Sequence, residues 1–378
     1  MRCKVAHLTS VHHPFDIRIF HKEARTLVRA GYEVTLVAPH ERDEEVESVH
    51  VLGVARGRTR LERMLFTTAQ VFLRGLRLRA AIYHFHDPEL IPVGLVLRAL
   101  GKKVIYDIHE YNADTALRRH WIPTILRHLV SKGIQCLDHY AAAKMDGVVT
   151  VSEDMAELFR SRLRVRGPVI VVHNYPELPQ VPCDDESTDP EPVAIYVGGL
   201  SKDRGLEVLL DAGERLKRVC PRAKLQLLGP LELAGVRKEY ASVDQWQIRG
   251  VEYLGIVAHR EVPNRLRRAR VGLIPLLPTP NHLKAPLTKL FEYMLAGLPV
   301  VASDFGITRS IVRETGCGFL VPPGDPSALS GAVQALLADP VKAVEMGQRG
   351  RRAVLEKYNW TSEEKKLLAL YEELLGNA

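Results

Sequence analysis

The residues best suited to chemistry stand in the stretch 286–303, PLTKLFEYMLAGLPVVAS. Its apolar spacing predicts a helix over 286–296, closed by Gly297, with Pro299 beyond it and a β-branched strand from Val300. Backbone N–H groups near Leu287, Thr288 and Lys289 then open the helix, where the macrodipole adds positive potential and an anion is welcome. Glu292, about two turns in, can accept hydrogen bonds from a vicinal diol such as a ribose. Phosphate plus ribose describes a nucleotide. A helix that merely buries Leu290, Phe291, Met294 and Leu295 has the same periodicity, so other residues must decide.

Residues 198–216, GGLSKDRGLEVLLDAGERL, form a glycine turn entering a second helix. Gly198 and Gly199 let the backbone approach a ligand, and Arg204 lies at the helix start. A cation there opposes the dipole by about 0.3–1 kcal/mol unless an anion offsets it, and a guanidinium fork suits a diphosphate. A local ion pair or cap through Asp203 is the plain alternative. In the first half, the loop HHPFDIRIF places Asp16 and Arg18 at the end of a strand, where Asp16 suits a helix cap equally well. His84, His86 and Asp87 form an H-x-H-D string whose imidazoles share one strand face, a geometry also used for metals.

These residues are positioned by short apolar runs that alternate with helix-period segments. Strands are predicted at 4–9, 33–38, 50–54, 81–86, 103–109, 147–152 and 169–173, then at 193–197, 224–228, 251–254, 271–276, 300–303 and 319–321. Runs apolar on both faces and separated by helices imply parallel sheets covered on both sides, with ligands at the strand C-terminal ends. Residues 175–192, YPELPQVPCDDESTDPEP, break the alternation as a linker. The expected class is α/β: two Rossmann-like, doubly wound domains facing a cleft, at 1–178 and 193–360 around a linker at 179–192. A closing helix at 361–378 packs back on the first domain. A chain of 378 residues exceeds the usual single-core size.

The +7 charge, from 52 basic and 45 acidic residues, is modest and carries no nucleic-acid signature. Five scattered cysteines without metal-like spacing argue for a reducing cytosol. The N-terminus enters a strand pattern at once, and no apolar run approaches the ~20 residues that span a bilayer. A cytoplasmic protein is the expectation.

The glycine turn with a basic residue before Gly205, the LFEYMLAGLPVVAS segment, FLVPPGDPSAL and the closing NWTSEEKKLLALYEELL together resemble glycosyltransferase family 4, retaining enzymes of the GT-B fold. The resemblance covers nearly the whole chain and is strongest over 193–375. It implies a nucleotide diphosphate-sugar donor, as a substrate and without a cofactor or metal. The implied donor site comprises Gly198, Gly199, Arg204, Gly229, Leu287, Thr288, Lys289 and Glu292, with Arg204 on the diphosphate, Glu292 on the ribose and His109 facing the transferred sugar. His109, Arg204 and Glu292 are the implied catalytic residues. Gly199 stands where many members have an Arg, and Lys284 stands where the first glutamate of the E-x7-E motif would be. Lys289 is the expected replacement for the missing charge. Asp16, Arg18, His86, Asp87 and Lys284 are expected at the donor or acceptor.

Three rival readings share these residues. A degenerate GT-B domain could bind glycans or partners, and a sugar-nucleotide epimerase would need acid and base groups that have no evident position. A metal-dependent hydrolase could use the His84/His86 pair, although an eightfold barrel would need eight strand-helix units and no linker. The expected acceptor is lipid-linked or a polysaccharide, in cell-surface glycan biosynthesis. An anionic membrane surface is a further expected partner: Arg56, Arg58, Arg60, Arg63, Arg74, Arg77 and Arg79 face only Glu62, with Leu65, Phe66, Val71, Phe72 and Leu76 interleaved. Arg118, Arg119, Trp121 and Ile122 continue that theme and imply a peripheral position on the inner face of the plasma membrane.

Overall fold

The computed structural model describes residues 3–109, 111–118, 122–162, 165–179, 192–279, 282–283 and 287–376. The chain forms two units, Met1–Asn174 with Trp360–Ala378, and Tyr175–Asn359. Lys284 and Trp121 lie outside the described residues, as does most of the expected linker.

In the first unit, β1 (Lys4–Leu8), β2 (Glu33–Pro39), β3 (Glu44–Val46), β4 (Val49–Val54), β5 (Ile82–Phe85), β6 (Lys103–Ile108), β7 (Gly147–Thr150) and β8 (Val169–Val171) make one sheet. Its order is β3-β4-β2-β1-β5-β6-β7-β8, parallel except where β3 meets β4. The strand order reverses beside β1, so the C-terminal ends of β1 and β5 flank the switch point where such sheets bind ligands. Leu8, Tyr83, Phe85 and Tyr106 fill the core on one face, and Val5, Phe20, Ile82 and Ile105 fill the other. The final helix, Trp360–Gly376, joins the second of these cores through Trp360, Leu367, Leu370 and Tyr371.

In the second unit, β9 (Val193–Val197), β10 (Lys224–Leu228), β11 (Val251–Gly255), β12 (Val271–Ile274), β13 (Val300–Ser303) and β14 (Gly318–Val321) form a parallel sheet ordered β11-β10-β9-β12-β13-β14. Its switch point lies between β9 and β12. Neither sheet closes on itself, which removes the barrel that a (β/α)8 metallohydrolase would require.

All thirteen strands expected from β-branched runs are present, and β3 is additional. Its sequence, Glu44-Glu45-Val46, has no apolar alternation, and its turn uses Glu47 and Ser48 at positive φ instead of Asn-Gly. The chain after the β1 loop is helical but opens as a π-helical stretch, Ile17–Ala24, before Arg25–Arg29. Wide turns of this kind bring Arg18, Lys22 and Glu23 together on the buried face.

Candidate functional site

The second unit gathers its candidate residues at the C-terminal end of β9. Gly198 leaves the strand at φ 125°, with its N–H donated to the Leu228 carbonyl at 2.8 Å. Gly229 follows β10 at φ 133°, and a Cβ there would stand 2.2 Å from the Gly198 carbonyl oxygen. Only glycine permits this crossing of two turns. Gly205 is equally constrained: at φ +80°, its Cβ would fall 2.0 Å from the Pro275 carbonyl oxygen. It seats the helix Leu206–Val219 behind Arg204.

The exposed Arg204 side chain lies across Gly199, where a Cβ would be 3.2 Å from Nη1. The glycine therefore leaves room for the guanidinium to cover the turn. The Gly199 carbonyl accepts the Tyr196 hydroxyl at 2.8 Å. Over the Tyr196 ring, 3.8 Å from its centroid, stands the Nζ of Lys289. The lysine stem keeps some exposure, but Nζ is buried and has no hydrogen-bond acceptor among the described residues. Burial first, and then the Arg204 charge, push the Lys289 ammonium well below the usual lysine range, while Glu292 pulls it back. A buried cation without an acceptor gains most from an arriving anion.

The helix carrying Lys289 runs Thr288–Leu295, so it begins two residues later than the expected 286. Glu292 is consequently about one turn from its start, not two. Leu287 is the N-cap and supplies no side-chain acceptor, so no side chain among the described residues caps the first N–H groups, at Thr288 and Lys289. Glu292 is half-buried on the same short helix, with no hydrogen bond or ion pair among the described residues. Tyr293 points to the other side and accepts the Val197 N–H at 2.8 Å, tying the helix to β9.

In the first unit, His109 follows β6 and is partly exposed. Its Nε2 lies 3.0 Å from Asp107 Oδ2 and 3.1 Å from His86 Nδ1, which turns Nδ1 away from that cluster. Asp107 is fully buried and also receives Arg18 Nε and Nη2, both at 3.1 Å. Burial alone would raise the Asp107 pKa, but Arg18 and His109 hold it well below the usual carboxylate range.

The structure corrects three expectations here, for Arg18, Asp87 and His86, and selects one of the two alternatives for Asp16. Asp16 is a helix cap, accepting the Arg18 and Ile19 N–H groups at 2.8 and 3.0 Å. Arg18 is buried against Asp107 and the Val172 carbonyl, so it is not presented to a ligand. Asp87 is buried as well: it accepts Thr9 Oγ1 at 2.7 Å and Ser10 N at 2.6 Å, and locks the loop after β1. His86 is enclosed between His7 and His109, not directed outward. The reason is common to Arg18, Asp87 and His86. Polar residues at these strand ends satisfy one another across the sheet, with partners roughly 80 residues apart that local spacing does not reveal.

His12 was not singled out by spacing. It stands 3.6 Å from Asp16 Oδ2 and 3.3 Å from Asp87 Oδ1, with its ring 5.2 Å from that of His109. Burial opposes its charge, yet the hydrogen bonds to Asp16 and Asp87 hold its pKa up to about 10. The doubled His12-His13 before Asp16 is the only local signal of it.

Comparison with known proteins places these features. Family models described as Glycosyltransferase Family 4 and Glycosyl transferases group 1 match residues 18–175 and 191–339. Glycogen synthase of Mycobacterium tuberculosis is 24% identical over 381 aligned residues, covering 91% of this chain and 87% of that protein. Sucrose-phosphate synthase from Thermosynechococcus elongatus superposes with a TM-score of 0.77 at 20% identity, over 100% of both chains. Anabaena HepE, solved in complex with UDP, gives a TM-score of 0.69 at 15% identity, over 99% of this chain and 100% of that one. With one model on each unit and agreement in fold along the full length, the chain belongs to glycosyltransferase family 4 and has the GT-B fold.

Proposed function

We propose that this glycosyltransferase moves a sugar from a nucleoside diphosphate donor, a UDP- or GDP-sugar, to a hydroxyl of a lipid-linked or polysaccharide acceptor, with retention of anomeric configuration. The observation that carries the reading is the buried Lys289 Nζ, without an acceptor among the described residues, beside Arg204 and at the start of a helix that no described side chain caps. Two cations and free N–H groups converge on one small volume, which is what a diphosphate requires. HepE, of the same fold, was solved with UDP. Glu292, on the same helix, is the proposed ribose acceptor.

In the proposed reaction the bond from the anomeric carbon to the donor phosphate oxygen breaks as the bond to the acceptor oxygen forms. The acceptor proton passes to the departing phosphate on the same sugar face. Arg204, Lys289 and the Thr288 and Lys289 N–H groups stabilise the charge on the leaving diphosphate, the place where such groups lower a barrier most. No metal is needed for that stabilisation, and no protein nucleophile is invoked. His109, held at Nε2 by Asp107, would offer Nδ1 to a sugar hydroxyl.

A membrane-proximal acceptor is favoured by the helical segment Arg60–Arg77. Leu61, Met64, Leu65, Phe66 and Leu73 are exposed on it, with Arg58 and Arg79 exposed at its two ends. The basic run is less one-sided than its sequence suggests, because Arg63 pairs with Glu89 at 2.5 Å and Arg74 with Asp43 at 2.6 Å. Val71 is buried, as is Ile122, so neither can meet lipid. Among the described residues no helix is long and apolar enough to cross a membrane. This segment would therefore lie on the surface.

Calorimetry against UDP-, GDP- and TDP-sugars, followed by detection of released diphosphate and NMR of the product anomer, tests the reading. Binding of one nucleotide class with release of its diphosphate is expected. Absence of any nucleotide binding would sink it, and an inverted anomer would remove the retaining mechanism.

A further inference from the structure

Beneath His109, the first unit encloses more titratable groups than sugar transfer uses. His7 on β1, Glu23 on the π-helical stretch, His84 on β5 and His86 just after it are all fully or almost fully buried. Their ligand-type atoms lie within 4.8 Å of one another. Both Glu23 carboxylate oxygens and His84 Nε2 lack a hydrogen-bond partner among the described residues. Arg18 Nε comes within 2.9 Å of Glu23 Oε1, but that N–H is directed to Asp107 Oδ2 at 3.1 Å. Orphaned polar atoms in a dry interior are costly, and this cluster holds three.

We propose that His7, Glu23, His84 and His86 bind one divalent transition-metal ion of the zinc class, through three imidazole nitrogens and one carboxylate oxygen. Three observations converge on it. First, the spacing fits. His7 Nδ1 and His86 Nε2 are 2.9 Å apart, and each is 4.0 Å from Glu23 Oε2. Ligands of a tetrahedral ion with bonds of about 2.1 Å stand roughly 3.4 Å apart, between those values.

Second, the outer nitrogens are already held. His84 Nδ1 meets the Tyr371 hydroxyl at 2.8 Å, and the same hydroxyl lies 3.3 Å from His7 Nε2. His86 Nδ1 lies 3.4 Å from Asp107 Oδ2. Each ring thus has one nitrogen engaged and the other turned inward, as metal-binding histidines do.

Third, the charge is unbalanced. Glu23 and Asp107 are two buried carboxylates around the single guanidinium of Arg18. Either a proton on Glu23 or a cation completes the cluster. Three imidazoles select a transition metal over magnesium or calcium. Such an ion would fix His86 and, through it, the ring of His109, without touching the diphosphate.

The test uses the tag-free full chain, loaded with zinc, passed over chelating resin and analysed by inductively coupled plasma mass spectrometry. About one zinc per chain is expected. Replacing zinc with Co²⁺ should give the intense visible bands of a four-coordinate ion, and the X-ray absorption spectrum of the wild-type zinc protein should show imidazole scattering. Glu23→Gln combined with His84→Ala should lower metal retention at least about tenfold, equivalent to about 1.4 kcal/mol. His109→Ala should keep the metal. Retention of less than about a tenth of an equivalent by the wild type, or an octahedral cobalt spectrum, would overturn the site and leave a proton shared by Glu23 and Asp107. Loss of metal in His109→Ala would also overturn it, in favour of His86, Asp107 and His109. The wild-type measurements decide the question even if the double variant does not fold.

Discussion

The Nζ of Lys289 sits 3.8 Å above the Tyr196 ring and, although buried, has no hydrogen-bond acceptor among the described residues. The ring face supplies some compensation as a cation–π contact, worth about 2 kcal/mol when desolvated, and the rest awaits an anion. Lys289→Met, which keeps the stem and removes the charge, should weaken nucleoside diphosphate binding by about 1.5–3 kcal/mol while leaving the melting temperature unchanged or higher. Titration calorimetry and a thermal melt of the same variant separate the two effects. Unchanged affinity would remove Lys289 from the donor site.

Glu292 should behave differently. Glu292→Ala is expected to cost about 1.5–3 kcal/mol in nucleotide affinity, the range for hydrogen bonds to a charged group, with inorganic pyrophosphate binding unaffected. Calorimetry with UDP and with pyrophosphate makes the comparison. Equal losses for both ligands would mean that Glu292 acts on the phosphates or on the helix, not on a ribose.

Gly205 tests the scaffold. Its φ of +80° and the 2.0 Å approach of a Cβ to the Pro275 carbonyl oxygen leave no room for a side chain. Gly205→Ala should destabilise the second unit by at least about 2 kcal/mol in urea denaturation and disturb Arg204 beside it. A loss under about 0.5 kcal/mol would show that the turn relaxes at little cost.

His12 gives a pH dependence with a definite sign. Its pKa, held up to about 10 by Asp16 and Asp87 against burial, exceeds the unfolded value of about 6.5. The stabilisation is therefore complete below about pH 6.5 and is lost as pH rises through about 10. With allowance for its partial exposure, it amounts to about 1–3 kcal/mol. Between pH 7 and 10 the wild type should lose stability more steeply than His12→Gln; parallel pH profiles would refute the pairing.

The basic segment predicts reversible, salt-sensitive lipid binding, since each near-surface Arg contributes about 1 kcal/mol against an anionic leaflet, screened within about 8 Å at physiological salt. Wild-type protein should co-sediment with anionic vesicles far better than with neutral ones. Arg58, Arg77 and Arg79 changed to Glu should erase the difference. Equal sedimentation of wild type with both vesicle types, or with neither, would assign the face another purpose.

What was legible in the sequence was local. Runs such as Val193–Val197 and Val300–Ser303 are apolar on both faces and so announce parallel strands, and the glycine turn at 198–199 and the helix around Glu292 are motifs within one short segment. What was not legible depends on pairing across the sheet. Arg18 reads as a loop residue at a strand end, but Asp107, 89 positions away, draws it inside. The H-x-H-D string was visible, whereas His7 and Glu23, which complete its cluster, come from β1 and a π-helical turn that periodicity does not announce.

The return of the final helix to the first unit makes the second unit an uninterrupted insertion. Its two chain ends meet within it: the rings of Tyr175 and Tyr358 lie 5.5 Å apart, and both touch Phe291, on the buried side of the helix that carries Lys289. The first unit is sewn from two distant stretches of chain, joined where Trp360 Nε1 donates to Thr26 Oγ1 at 2.9 Å and Tyr371 reaches His84. Modularity is therefore asymmetric. The second unit is one contiguous cassette of the chain; the first cannot complete its core until the ribosome has delivered the helix Trp360–Gly376, so its folding must wait until the whole second unit has been made.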